Sequence, residues 1–241
     1  MKRRDFLKKA GVLAASVALS PLVLSNAQNS SRPRFSQSAD GPFARRPTIL
    51  QYREAGTTNP WLAASGIARL VPDTDRVVHT VELNSLTPDS QYEFRLPEGE
   101  VPAVYTTFAH DPTTSVVVHW QTYQPHPAAA YTGPFGSEQY KCRTFPAELA
   151  GSLRVAQISD THGHANTNEK LIGDIAARGS RLIIHSGDLA TGNGGDAGPG
   201  TWYTFFDALN AARDADGCII PILPTLPRNQ RWRRWSSMGW T

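Results

Sequence analysis

Cysteine occurs only twice in these 241 residues, at Cys142 and Cys218, and no spacing of the two could build a thiolate metal site. Cys142 lies in a β-like segment and Cys218 just before an apolar run in a different region. The pair therefore reads as two independent, partly buried thiols rather than a disulfide. A continuous basic face is also lacking, although the chain carries a net +3. Residues 1–27 hold five Lys or Arg against one Asp, and residues 228–241 hold four Arg and no acid. Removing both ends leaves a body of net −5, which excludes the phosphate-backbone surface that nucleic-acid binding requires. After residue 27 no apolar run is long enough to cross a membrane. Histidine, finally, does not occur after His185.

The ends of the chain are unlike its body. Lys2-Arg3-Arg4-Asp5-Phe6-Leu7-Lys8-Lys9 looks like the twin-arginine pattern of bacterial export. An apolar stretch from Ala10 to Leu24 and the small-residue site Ser25-Asn26-Ala27 follow it. The resemblance implies a signal peptide over residues 1–27, the twin-arginine export machinery as a partner, a periplasmic or extracellular destination, and no stable span after cleavage. Residues 28–44, polar and without period, read as a linker. At the other end, residues 228–241 hold three of the six tryptophans among arginines and have neither a helical nor a strand period. One reading is a segment that stacks on bases or lies at a membrane surface. The abrupt change of composition favours another, a shifted reading frame or an early stop.

Residues 45–150 are β-like. Thr48–Arg53, Val77–Leu83 and Gln91–Leu96 alternate between turn-rich breaks, and strands at such spacing argue for a sandwich. Leu86-Thr87-Pro88-Asp89-Ser90-Gln91-Tyr92 resembles the tyrosine corner of fibronectin type III domains, in which the Tyr hydroxyl bonds back to backbone near the turn. Asp111 to Thr122, with Trp120, resembles an early strand of that fold but comes after the corner. Two explanations stand: a rearranged strand order, or an insertion of about residues 97–137 into the last hairpin, which would close with residues 139–145.

Residues 151–227 change period. Leu153–Ile158 reads as a strand. Asn166 and Glu169 have the spacing of a capping box ahead of a helix with an apolar face of Leu171, Ile172, Ile175 and Ala176, ended by Gly179. Leu182–His185 reads as a second strand and Ile219–Leu223 as a third. Between them lie a glycine-rich loop, 193–200, and a helix with the stripe Trp202, Phe205, Phe206 and Leu209. A βαβαβ order means a parallel sheet with right-handed crossovers. Three strands and two helices leave one face and one edge uncovered, so this α/β region reads as incomplete.

Chemistry gathers after the first two of these strands, where open α/β sheets place their ligands. Asp160-Thr161-His162 follows one and Gly187-Asp188 the other. These motifs resemble the calcineurin-like metallophosphoesterases, purple-acid-phosphatase-like in having a fibronectin-type domain ahead of the catalytic one. The resemblance implies a hydrolase that cleaves phosphate mono- or diesters with a metal-bound hydroxide. It implies two divalent or trivalent ions, such as Fe, Zn or Mn, with Asp160 and His162 on one and Asp188 bridging to the second. The family's Gly-Asn-His-Asp/Glu motif should follow Leu226, and the sequence departs there into Pro227-Arg228-Asn229-Gln230. The second metal site and a catalytic histidine are not recognisable, so at most one ion is expected and activity should be impaired. His164 could approach the metal edge, though an exposed position is expected; His185 reads as a hydrogen-bonded core histidine. Gly192-Asn193-Gly194-Gly195 is a weak phosphate-cradle signal without a lysine behind it. The competing class is a non-enzymatic envelope protein that binds a partner through the fibronectin-like module.

Overall fold

The computed structural model describes residues 45–70, 75–123, 132–162, 164–187, 189 and 200–224. All of these fall in one compact unit, residues 37–241. The signal-like segment, the linker, the glycine-rich loop 193–199, Asp188, the 192–195 phosphate-cradle candidate and the Arg/Trp segment 228–241 lie outside the described residues.

Seven strands, β1 (Arg45–Glu54), β2 (Leu62–Leu70), β3 (Arg76–Leu83), β4 (Gln91–Arg95), β5 (Ala103–Thr107), β6 (Val116–Tyr123) and β7 (Tyr140–Arg143), form one antiparallel sheet in the order β5-β6-β3-β2-β1-β4-β7. The sequence suggests two facing sheets, whereas the hydrogen-bonded ladder runs without a break through β2 and β3. Leu50, Val81, Phe94, Val104, Trp120 and Cys142 come from strands across the whole order, yet they share one core. A sheet whose two ends bury side chains together must curl back on itself, giving a near-barrel. Strands β2 and β5 were not legible in the sequence. The burial pattern of β2 is mostly intermediate and exposed, and β5 is buried on both faces, so neither shows the alternation that marks a half-buried strand.

The out-of-order strand has a spatial answer. Antiparallel β4 and β7 pair from Gln91↔Arg143 to Phe94↔Tyr140, while β5 and β6 lie between them in sequence. That β5–β6 hairpin instead pairs with β3 at the far side of the curl, with Leu83 opposite Val116 and Arg76 opposite Tyr123. Of the two explanations, insertion into the last hairpin describes the pairing. The corner before β4 is also formed: the Thr87 N–H donates to the Tyr92 hydroxyl at 2.8 Å.

Three short strands, β8 (Val155–Ile158), β9 (Leu182–His185) and β10 (Ile222–Pro224), make a parallel sheet in the order β10-β9-β8. Helix α1 (Ala165–Ala177) joins β8 to β9, and α2 (Gly200–Ala208) with a short 3₁₀ turn (Leu209–Ala211) precedes β10. Helix α1 starts one position before Asn166, with His164 at the cap and no side-chain capping bond, so the capping box does not form. Its end is as expected. Gly179, at φ 73°, lets the Gly179 and Ser180 amides reach back to the Ala176 and Ile175 carbonyls. Ile172, Ile175 and Ala176 are buried, while Leu171 is 37 % exposed. The third strand begins later than expected because Pro221 has no N–H to continue a ladder. Ile219 ahead of it donates instead to the Lys141 carbonyl of β7 at 2.8 Å.

This detour corrects the reading of the cysteines as partly buried and independent. Both are fully buried, and the Cys218 sulfur lies 3.8 Å from the Cys142 carbonyl oxygen. Both thiols are free, and burial first and then the neighbouring sulfur pushes the Cys142 thiol up. The aromatic stripe of α2 is core, as its spacing suggests. Phe206 stacks on Tyr105 of β5 at 4.9 Å, so α2 also packs against the antiparallel sheet.

Candidate metal centre

Asp160 and His162 stand just past the C-terminal end of β8. Both adopt the left-handed region, with φ of 55° and 46°. Asp and His tolerate this region better than most residues, and a strained pair persists only where its surroundings over-determine it. The strained turn sends Thr161 inward, where it is 4 % exposed, and leaves Asp160 exposed and His162 half-exposed. The His162 Nε2 lies 3.8 Å from Asp160 Oδ1, too far for a hydrogen bond. Both atoms are within reach of a single ion with bonds of about 2.1 Å. A carboxylate oxygen beside an imidazole nitrogen suits Zn, Fe or Mn, so the donor set fits the ion the sequence implies.

The turn after β9 lies alongside. The Ser186 N–H donates to the Ile158 carbonyl at 2.9 Å and the Asp160 N–H to the Gly187 carbonyl at 3.2 Å, extending the β8–β9 ladder past both strand ends. Gly187, at φ 131°, occupies a conformation that a side chain would strain. Asp188 follows it and lies outside the described residues. Its neighbour Leu189 is buried and its carbonyl oxygen points back to Thr161. Among the described residues no group of three or more His, Cys, Asp or Glu is placed to hold an ion, so the structure brings together only Asp160 and His162.

His164 is exposed at the cap of α1, and its backbone N–H donates to the Thr161 carbonyl at 3.2 Å. His185 is fully buried at the end of β9, edge-on to Phe205 at 5.2 Å, and faces Thr161 rather than solvent. Thr161 and Asn168 are the residues that reading the sequence for ligands passed over. No local pattern marks them, because the partners of Thr161, His185 and Leu189, are distant in sequence.

Comparison with known proteins places this turn in a family. Residues 153–226 match the family model described as calcineurin-like phosphoesterase. Over that segment the chain is similar to the calcineurin-like phosphoesterases. Comparison with curated proteins gives no match. Among solved structures, a purple acid phosphatase from yellow lupin (Lupinus luteus) seeds is similar at 15 % identity and a TM-score of 0.45. The similarity covers 78 % of this chain and 31 % of that one, so the chain spans about a third of its length.

Proposed function

We propose that this chain is an exported phosphoesterase that uses Asp160, His162 and Asp188 to bind a divalent or trivalent ion and acts on phosphate mono- or diesters. The observation that carries the reading is the strained Asp160–His162 turn at the end of β8, held against the β9 turn that leads into Asp188. An ion there would supply charge to bind a phosphate oxygen and to acidify a water. The chain's own part is to present a carboxylate and an imidazole side by side, open to solvent, on a strand end whose backbone is fixed. Asp188, one residue past Gly187, would add a second carboxylate from the neighbouring strand end.

With Asp160, His162 and Asp188 as its ligands the site serves one ion in this reading, and slow hydrolysis is expected. The tyrosine corner and the β4–β7 pairing support a fibronectin-type origin for residues 45–150, with strands inserted between its last two. The twin-arginine-like start supports delivery to the periplasm or beyond.

The test is calorimetric titration of the full chain with Mn²⁺, alongside hydrolysis of p-nitrophenyl phosphate and bis-p-nitrophenyl phosphate. One ion per chain is expected. Asp160→Asn and His162→Ala should each weaken binding at least tenfold, and Asp188→Asn should do so by a similar factor. Hydrolysis should be slow and should vanish with chelator. A wild-type chain that binds no metal would refute the reading and favour a binding role for the β domain.

A further inference from the structure

The geometry points to Thr161 and His185 as a buried clasp that sets the metal-ligand turn. It rests on the reading of Asp160 and His162 as ligands and names what holds them in place. The Thr161 hydroxyl donates to the Leu189 carbonyl at 2.8 Å, so its remaining partner, His185 Nε2 at 3.0 Å, must be the donor to it. The Gly187 N–H donates to His185 Nδ1 at 3.3 Å, which requires that nitrogen to be unprotonated. The two assignments agree on one neutral tautomer with its proton on Nε2. The Thr161 carbonyl is held from the other side by the Asn168 side-chain amide and the His164 N–H, each at 3.2 Å.

One residue of the ligand turn is thus tied at both its hydroxyl and its carbonyl. It is tied to the β9 turn before Asp188, to the backbone after Asp188, and to the first turn of α1. The ties explain why Asp160 and His162, on either side of Thr161, stay in the left-handed region. Without them the turn would relax toward ordinary backbone angles, and the two donors would part. Thr161 and His185 are positioning residues. They touch no substrate, and their effect reaches the ion through the spacing of the ligands they flank.

The experiment uses the full chain and Mn²⁺, followed by calorimetry and by the electron paramagnetic resonance line shape of the bound ion. Amide hydrogen exchange of the metal-free protein is followed in parallel. Thr161→Val keeps shape and removes the hydroxyl; it should weaken Mn²⁺ binding at least tenfold and speed exchange of the Asp160 and Gly187 amides about tenfold or more. Thr161→Ser restores the hydroxyl and should return both readings to within about threefold of wild type. Should Thr161→Val lose its native melting transition, Asn168→Ala loosens the same turn from the helix side and should weaken binding about threefold or more. Wild-type Mn²⁺ affinity and exchange in Thr161→Val, or in Asn168→Ala where the former is unfolded, overturns the clasp and leaves the metal reading standing. A wild-type chain that takes up no Mn²⁺ overturns both, and the exchange data then show whether the turn was ordered at all.

Discussion

At the residue scale, Tyr92 shows how one polar atom can fix a strand's entry. Its ring is buried in the β core while its hydroxyl accepts the Thr87 N–H at 2.8 Å. That amide sits in a turn where Ser85 and Asp89 both take positive φ, at 58° and 51°, and where Thr144 of the last strand's tail donates to the Thr87 carbonyl at 2.7 Å. Tyr92→Phe removes the acceptor and keeps the ring. It should cost roughly 1–3 kcal/mol, because it leaves a partly buried N–H without its partner. Urea unfolding with an unchanged m-value would measure it, and a loss below about 0.5 kcal/mol would mean that water replaces the hydroxyl. The same logic runs through Arg143, half of whose work is to hold Asp214 at 3.0 Å and Asp216 at 2.5 Å ahead of Cys218. Burial alone would lower the Arg143 pKa, but the hydrogen bond to Asp216 and the neighbouring acids raise it.

At the element scale, the close approach of β2 to β3 requires Gly66. Strand β2 pairs with β1 along its length and picks up β3 only from Ile67 onward, so Gly66 is the point where the second ladder begins. A Cβ there would stand 2.0 Å from the Thr80 carbonyl oxygen and 2.7 Å from a Val81 methyl. Backbone cannot give way as a side chain can, so Gly66→Ala should destabilise by about 1–3 kcal/mol or more, read from thermal unfolding. A neutral result would mean that β2 and β3 separate there at little cost. In the sequence neither Gly66 nor β2 stood out. What was legible were β9, a short apolar run that begins and ends at the expected residues, and the elements whose burial follows a helical period, the buried face of α1 and the aromatic stripe of α2. That Asp160 and His162, two residues apart, come close to each other was legible too. Less accessible were features set by long-range contacts: the β5–β6 insertion, the handover of Ile219 to Lys141, and the role of Thr161. Each depends on a partner distant in sequence, which local periodicity does not report.

At the scale of the whole molecule, the antiparallel sheet and the α/β region are joined through a stack of rings. His119 of β6 lies against Tyr105 of β5 at 4.9 Å, and Tyr105 in turn lies against Phe206 of α2 at 4.9 Å. The His119 imidazole is buried between two threonine hydroxyls, Thr80 at 3.1 Å and Thr107 at 2.9 Å, and burial pushes its pKa down from 6.5 to about 3. In the unfolded chain this histidine takes up its proton near pH 6.5, while in the folded protein it stays neutral to about pH 3. Below pH 6.5 the unfolded state therefore binds more protons, so stability present above that pH is lost progressively as pH falls toward 3. The slope from this one group approaches about 1.4 kcal/mol per pH unit. His119→Gln offers hydrogen-bonding atoms to the same threonines and does not titrate, so its stability should fall less steeply across that window. Denaturant unfolding at a series of pH values would compare the two proteins, and equal slopes would exclude His119 as the acid-sensitive group. Because the ring stack ties both cores to this side chain, acid should also unfold them together. In a variant that keeps Trp120 as its one tryptophan, fluorescence reporting the β core should move with far-ultraviolet dichroism, reporting α1 and α2, in one transition. Separated transitions would show that the contact of Tyr105 with Phe206 is too weak to couple the sheet to the α/β region.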